Sequence, residues 1–248
     1  MDEKNFVQRK AENSSDVLAF YDAYADTWDQ RFGITDSTEE FHKIRLNSFL
    51  KIADLHKEMV VYELGAGTGP YVKNIAPLVK ELICVDGSKE MLKVLQKNSV
   101  GLNNVVTKQI DLSKPADLGK EADLIFFFGL IEHVIDIDNL IENCKKSLKK
   151  NGKIVVISSN ALSPWYYGIR YLFRAGKHCT TDKYYSRYSL NKVMQKHGFK
   201  EETHQYWGFF PAGINGTMYK LLSLIGKLIQ NSPLKIFGGG MTISYIKQ

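Results

Sequence analysis

Three glycines in one short turn are the strongest chemical signal in the sequence. The segment Glu63-Leu64-Gly65-Ala66-Gly67-Thr68-Gly69 begins at the end of an apolar run at residues 59–64. Glycines allow positive φ angles and let a ligand approach the backbone closely. A helix that begins near Pro70 would add free N–H groups and the positive end of its dipole. Because the Gly-x-Gly-x-Gly spacing differs from the G-x-G-x-x-G of dinucleotide sites, the turn predicts a cofactor site of another kind.

Two aspartates stand at the ends of the next two predicted strands. Asp86 lies about twenty residues after the turn, where a carboxylate can accept hydrogen bonds from both hydroxyls of a ribose. Asp111 ends the third strand, where it can accept a hydrogen bond from an adenine amino group. A single Asp at a strand end is usually a turn residue or a helix cap. Three such features at the carboxyl ends of consecutive strands, namely the glycine turn, Asp86 and Asp111, favour a ligand site instead.

Short apolar runs alternate with helical patterns along the chain. The strands and helices that this alternation predicts must position the glycine turn and the two aspartates. Strands so apolar are expected to be buried on both faces of a parallel sheet with helices on either side. Gly33 is expected to end the first helix, and Ser14, Ser15 and Asp16 are its expected caps. The predicted helices cover residues 14–32, 37–55, 71–78, 88–97, 137–148 and 189–197. The predicted strands cover residues 59–64, 81–85, 105–110, 124–128, 153–158, 199–207 and 240–246.

The chain resembles class I S-adenosylmethionine-dependent methyltransferases of the group that acts on small molecules, quinones and lipids. The resemblance covers roughly residues 15–205 and rests on segments 61–69, 84–88, 109–112, 123–134 and 148–154. It implies an α/β, Rossmann-like fold with a mostly parallel sheet of seven strands in the order 3-2-1-4-5-7-6, the last strand being antiparallel. We read a single domain over residues 1–248, divided into cap helices at 14–56, a cofactor-binding core at 57–160, an aromatic substrate segment at 161–188 and a helical insertion between the last two strands at 208–239.

The resemblance also implies which residues bind S-adenosylmethionine. Residues of the glycine turn would surround its methionine part, Asp86 its ribose, and Asp111 with Leu112 its adenine. Two residues after the fourth strand would line the methyl-transfer site, and the N-terminal helix would act as a lid whose aromatic residues cover the cofactor. The expected cofactor-binding set is Glu63, Gly65, Ala66, Gly67, Asp86, Gly87, Asp111, Leu112, Phe128, Gly129 and Trp28.

His133 is the candidate catalytic base. Methyl transfer from a sulfonium needs aligned reactants in a dry pocket and a group that removes the proton of the acceptor. His133 follows the fourth strand, and histidine titrates in the range that this task requires. Some phosphoethanolamine methyltransferases pair a similarly located histidine with a tyrosine of the N-terminal helix, and by that resemblance Tyr21 or Tyr24 would contact His133. The alternative is that His133 caps the helix that follows.

Other chemistries have weaker support. Glu132, His133 and Asp136 do not have the spacing of a known metal site, so we predict no metal. Amino methylation of nucleic acids is disfavoured, because Phe126-Phe127-Phe128-Gly129 stands where those enzymes carry an Asp/Asn-Pro-Pro-aromatic segment. The predicted reaction is methylation of a small-molecule or lipid-linked acceptor, with oxygen favoured over nitrogen or carbon. Aminopropyl transfer and a cofactor-binding scaffold or regulatory protein without activity remain alternatives.

Composition and charge distribution suggest where the protein works. Hydrophobic residues make up 44% of the chain, enough for a full core, but no run approaches the roughly 20 apolar residues of a membrane span. The polar N-terminus is unlike a signal peptide, and the spacing of Cys84, Cys144 and Cys179 fits neither a zinc site nor a disulfide framework. We therefore predict a cytoplasmic protein with reduced thiols. The net charge is +6, and residues 161–248 hold 12 Lys/Arg against 3 Asp/Glu.

Residues 216–237 carry an apolar stripe that includes Met218, Leu221, Leu222, Ile225, Leu228 and Ile229. We expect this stripe to pack against the domain. The flanking Lys220, Lys227 and Lys235 leave open that it instead rests peripherally on a membrane or holds a lipid-linked acceptor. The oligomeric state has no sequence signal.

Overall fold

A seven-stranded sheet organises the computed structural model, which describes residues 11–31, 34–165, 183–211 and 213–248. The strands are β1 (Val60–Leu64), β2 (Glu81–Asp86), β3 (Val105–Gln109), β4 (Ala122–Phe128), β5 (Leu148–Ser159), β6 (Phe199–Trp207) and β7 (Gly240–Lys247). Their order is β3-β2-β1-β4-β5-β7-β6. The first five strands pair in parallel, and β7 is antiparallel to both of its neighbours. The predicted fold class, strand order and antiparallel last strand are confirmed.

Seven α-helices of the described residues surround this sheet. They are α1 (Ser14–Tyr24), α2 (Asp36–Ala53), α3 (Val72–Ile75), α4 (Lys89–Asn98), α5 (Ile137–Ser147), α6 (Arg187–Lys196) and α7 (Gly216–Gln230). Shorter 3-10 helices cover Ala25–Arg31, Ala76–Leu78 and Pro233–Phe237. Side chains that cap the backbone set several of the helix starts: Ser88 accepts from the Met91 N–H, and Asp136 accepts from the Asn139 N–H.

The core lies on both faces of the sheet, as strands this apolar require. Along β1, Val61 belongs to the hydrophobic cluster on one face, whereas Tyr62 and Leu64 belong to the cluster on the other. The thiols of Cys84 and Cys144 are buried in these clusters, and Cys179 lies outside the described residues. Among the described residues, no helix combines the length and the apolar character needed to cross a membrane.

Three local predictions were wrong. The predicted helix at 14–32 is α-helical only to Tyr24 and continues as a 3-10 helix to Arg31, with Phe32 and Gly33 outside the described residues. Its N-cap is Asn13, whose side chain accepts from the Asp16 N–H, rather than one of the three residues that follow. The strand predicted at 153–158 begins earlier, since β5 starts at Leu148 and passes through Asn151 at a φ of 65°.

The insertion between β6 and β7 differs most from the prediction. It exists as predicted and contains α7, but only part of the stripe at 216–237 packs against the domain: Ile229 does, whereas four of the six named stripe residues are exposed. Met218, Leu221, Leu224, Ile225 and Leu228 are exposed, and so are Leu234, Ile236 and Phe237 after the helix. The reason is that α7 is apolar on two faces, of which only one packs on the fold.

Candidate functional site

One cavity of about 690 Å³ lies where β1, β2 and β4 end, beneath α1 and the 3-10 helix that follows it. Every residue of the expected cofactor-binding set lines it, and so do His133 and Tyr21. Tyr24 does not line the cavity: its ring packs on Phe20, with the ring centroids 4.8 Å apart. The sequence-based site is therefore brought together in space, with Tyr24 as the one exception.

The glycine turn folds back onto β2 and leaves open space above itself. The N–H groups of Gly65 and Ala66 donate to the carbonyl of Val85, at 2.8 and 3.1 Å. Gly65 has a φ of 67°, and a methyl group there would come within 2.7 Å of Leu130 Cδ1. Gly67 has a φ of 55°, and a methyl group there would meet nothing within 4 Å. A ligand can therefore approach the backbone at Gly67, which is what the turn was predicted to permit.

Asp86 holds the turn and the next helix together. Its Oδ2 accepts from the Gly67 N–H and its Oδ1 from the Ser88 N–H, both at 2.8 Å. Burial raises the pKa of Asp86, while these backbone hydrogen bonds lower it in part. The Gly87 N–H is a third backbone donor to this carboxylate. Since an ionised carboxylate has about four acceptor positions, it can still accept from a hydroxyl group in the cavity.

Glu63 is a buried carboxyl group beside the same turn. Only 1% of its surface is exposed, and its Oε2 has no hydrogen-bond partner among the described residues. Burial raises the pKa of Glu63 to about 8, Arg45 acts in the opposite direction, and Asp86 adds to the rise. A carboxyl group left in this state can accept a cationic donor from the cavity. This orphaned oxygen and the open space at Gly67 fit a cofactor that carries an ammonium group.

Arg45 of α2 is a cavity residue that the sequence did not reveal. Its guanidinium lies 5.1 Å from the centre of the Phe128 ring and closely covers the backbone of Gly129. Burial raises the pKa of Tyr71, and the charge of Arg45, together with a hydrogen bond from it, acts in the opposite direction. An arginine on an amphipathic helix is usually solvated, so only tertiary packing identifies it as part of the site.

His133 lies beside the lid. Its ring centroid is 6.0 Å from that of Tyr21, at an interplanar angle of 67°. The alternative role for His133, as a helix cap, is wrong, because Asp136 caps α5. Tyr21 in turn contacts Trp28 edge to face, with the centroids 5.3 Å apart. The pairing of a histidine with an N-terminal tyrosine is thus present as a ring contact, through Tyr21.

Side-chain hydrogen bonds tie the lid to three different loops of the core. Ser14 Oγ donates to Asp111 at 2.8 Å, Ser88 Oγ donates to Asp22 at 2.5 Å, and Thr68 Oγ1 donates to Asp29 at 2.5 Å. Burial acts to raise the pKa of Asp111, but hydrogen bonds from Lys114, Ser14 and the Ser113 N–H lower it overall. The lid therefore closes over the expected cofactor end of the cavity.

Comparisons with known proteins identify the family. A model of the methyltransferase domain matches residues 39–204, which is more than half of the chain. The chain belongs to this family. The predicted methyltransferase family is thereby confirmed.

The methyltransferase also resembles particular proteins. It is 27% identical over 119 residues to a ubiquinone biosynthesis O-methyltransferase of Chelativorans sp., a match that covers 46% of this chain and 47% of that enzyme. The chain thus spans about half the length of this curated relative. The solved structure of DhpI in complex with SAH has a TM-score of 0.64, at 16% identity, and covers 94% of this chain and 95% of its own. The structure of magnesium protoporphyrin IX methyltransferase from Synechocystis PCC 6803 with bound SAH has a TM-score of 0.65 at 12% identity. That match covers 95% of this chain and 100% of the other.

The far end of the methyltransferase's cavity is mostly aromatic. Phe41, Trp165, Tyr184 and Phe210 line it, and Glu132 is buried there with its Oε1 accepting from the Ser159 N–H at 2.7 Å. Of the predicted aromatic segment at 161–188, Trp165 and Tyr184 reach the cavity, Tyr185 is buried and Tyr188 is exposed. Its other aromatic residues, Tyr166, Tyr167, Tyr171 and Phe173, lie outside the described residues.

Glu132, His133 and Asp136 are the candidate metal ligands of the sequence. In the described ranges, no group of three or more His, Cys, Asp or Glu residues is arranged to hold a metal ion. Asp136, one of the three residues considered, uses its carboxylate to hold the Asn139 N–H and side-chain amide.

Proposed function

We propose that this methyltransferase transfers the methyl group of S-adenosylmethionine to an oxygen atom of a small-molecule or lipid-linked acceptor. One observation carries the proposal: Glu63, Asp86 and Asp111, from the ends of three consecutive strands, line one cavity with an aromatic far end. The name of the ubiquinone biosynthesis O-methyltransferase supports oxygen as the acceptor atom.

The cofactor would lie along the ends of β1, β2 and β3. Asp86, with Gly87, would accept from the ribose hydroxyls, and Asp111 with Leu112 would bind the adenine. Glu63 would pair with the ammonium of the methionine part, over the open backbone of Gly65, Ala66 and Gly67. Arg45 would bind the carboxylate of the same part, near Phe128 and Gly129. Trp28 would cover the cofactor from the lid. When bound, S-adenosylmethionine supplies an activated methyl group on a sulfonium.

The residues of the chain would supply orientation and proton removal. His133 would accept the proton of the acceptor hydroxyl, and the Tyr21 ring would hold the imidazole in position from the lid side. Phe41, Trp165 and Phe210 would exclude water and hold a flat or apolar acceptor body. The net result is a C–O bond formed, a C–S bond broken, and one proton lost from the acceptor to His133.

The first test is calorimetric titration with S-adenosylmethionine and S-adenosylhomocysteine. Asp86→Asn should weaken the binding of both at least tenfold, because hydrogen bonds to a charged group contribute about 1.5–3 kcal/mol each. Asp26→Asn is the matched control, since Asp26 is an exposed aspartate that does not line the cavity. Undiminished binding by a folded Asp86→Asn protein would overturn the ribose assignment. Screening phenolic, carboxylic and amine acceptors with labelled cofactor then tests the acceptor atom.

A further inference from the structure

Helix α7 presents two apolar faces, and the fold uses only one of them. On the inner face, Tyr219 contacts the ring of Phe210, Gly226 lies against Phe209, and Ile229 packs on the hydrophobic core. These residues recur at the spacing of one helical face. At the start of α7, Asp36 of α2 accepts from the Gly216 N–H at 2.9 Å. The inner face and this bond are enough to attach the helix.

The outer face of α7 is apolar and open to solvent. Leu228 is 72% exposed and Leu221 is 58% exposed, and the other members are Met218, Leu224 and Ile225. The 3-10 helix at Pro233–Phe237 extends this surface through Leu234, Ile236 and Phe237. An exposed apolar face, in addition to the face that packs on the fold, is typical of a helix that contacts another protein or a membrane.

The charges around this surface have one sign. No Asp or Glu follows Glu202 in the sequence, and Lys220, Lys227 and Lys235 lie within the segment, all three exposed. The acidic side chains of the described residues that face α7 are Asp36 and Glu40 of α2. Asp36 accepts from the Gly216 N–H at the first turn of α7. Burial and the charge of Glu40 raise the pKa of Tyr219 on the inner face, whereas Lys43 lowers it. The outer surface therefore combines apolar side chains with positive charge.

We propose that the outer surface of α7 and residues 233–237 binds the surface of a bilayer that contains anionic phospholipids. Apolar side chains of an amphipathic helix enter the boundary between headgroups and acyl chains, and lysines at the border of the helix extend to the phosphates. A second copy of this chain fits less well, because a twofold contact would bring lysines against lysines. The charge complementarity thus selects an anionic lipid surface.

The location of this surface connects it to the cavity. Phe210 contacts Tyr219 of α7 on one side and lines the cavity on the other, with the ring centroids of the two residues 5.4 Å apart. The two ends of the insertion are joined by the Gly239 N–H, which donates to the Gly208 carbonyl at 2.8 Å. A chain bound through α7 would have the aromatic end of its cavity near the lipid. This consequence rests on the proposed function and favours a lipid-borne acceptor, but the membrane contact itself does not depend on it.

Vesicle sedimentation tests the contact with the full chain. The wild-type protein should sediment with vesicles of phosphatidylcholine and phosphatidylglycerol, and much less with phosphatidylcholine alone. Lys220→Gln with Lys227→Gln should lower the partition coefficient about fivefold per lysine on the mixed vesicles. Leu221→Gln with Leu228→Gln should lower it at least tenfold on the same vesicles. The matched controls are Val100→Gln, an apolar residue 79% exposed on another surface, and Lys51→Gln with Lys97→Gln.

Three results would overturn the proposal. One is a wild-type protein that does not sediment with either kind of vesicle. Another is sedimentation that Leu221→Gln with Leu228→Gln leaves unchanged. A third is a dimer, seen by light scattering, that this variant dissociates while no vesicle binding occurs, because a second copy would then cover the surface. Circular dichroism of each variant verifies the fold, and cofactor titration reports on the proposed function separately, since these residues do not line the cavity.

Discussion

Glu63→Gln should separate cofactor binding from proton release. In the free protein, burial keeps the Glu63 carboxyl protonated near neutral pH, with a pKa of about 8. The ammonium of the cofactor would stabilise the ionised form, so binding would lower this pKa and expel the proton. Glutamine has nearly the same shape and no proton to lose, and therefore removes the effect without opening a hole.

The size of the effect follows from the pKa of Glu63. A group with a pKa of about 8 is about nine-tenths protonated at pH 7, so binding should release about 0.9 proton there. The affinity for the cofactor should rise with pH, because the proton competes with the cofactor for the carboxylate. Between pH 6 and pH 7 the affinity of the wild-type protein should increase about ninefold. The increase should level off above pH 8.

Calorimetry in two buffers of different ionisation enthalpy measures the released proton directly. Glu63→Gln should release essentially none and bind S-adenosylhomocysteine with an affinity that hardly changes between pH 6 and pH 7. Glu58→Gln is the control, since Glu58 is exposed and distant from the cavity. A wild-type protein that binds the cofactor with no proton release and no pH dependence would refute the pairing of Glu63 with the ammonium.

Three further predictions concern stability, chemistry and the lid. The pKa of Glu63 is raised from 4.5 in the unfolded chain to about 8 in the folded protein. The folded protein therefore binds the proton more tightly, and its free energy of unfolding falls as the pH rises between these two values. Relative to Glu63→Gln, the unfolding free energy of the wild-type protein should fall by roughly 3 kcal/mol from pH 5 to pH 8, as measured by urea denaturation. His133→Ala should lower kcat about a hundredfold at unchanged cofactor affinity, once an acceptor is known, whereas full turnover would remove its assignment as the base. Asp22→Asn, which weakens the bonds from Ser88 and the Glu90 N–H, should speed cofactor dissociation about tenfold in stopped-flow displacement, and an unchanged rate would show that these bonds do not hold the lid.

The part of the site that follows strands could be predicted from the sequence. The glycine turn, Asp86 and Asp111 occupy strand ends, and chain order alone brings the ends of consecutive parallel strands to one edge. The order of the strands is therefore enough to place these residues close together, and the turn and both aspartates line the cavity. The strand order followed from the family resemblance and agrees with the structure.

Residues on helices were harder to assign, because helix rotation is set by packing. Tyr21 and Tyr24 are equally aromatic and three residues apart, yet only Tyr21 faces the cavity. Arg45 looks like a solvated residue of an amphipathic helix until α2 is packed on the sheet. Periodicity likewise identified the apolar residues of α7 but not what they contact, so most of a stripe that was expected to be buried is exposed.

The hydrogen bonds that hold the lid have a kinetic consequence. Ser14, Asp22 and Asp29 join the lid to the loops after β3, β2 and β1, whereas residues of other segments, such as Phe210 and Tyr184, enclose the aromatic end. An acceptor can then exchange while the lid stays closed, but the nucleoside cannot. We therefore expect an ordered reaction in which the cofactor enters first, the methylated product departs next, and S-adenosylhomocysteine leaves last. Inhibition by S-adenosylhomocysteine would then be competitive with S-adenosylmethionine at every acceptor concentration.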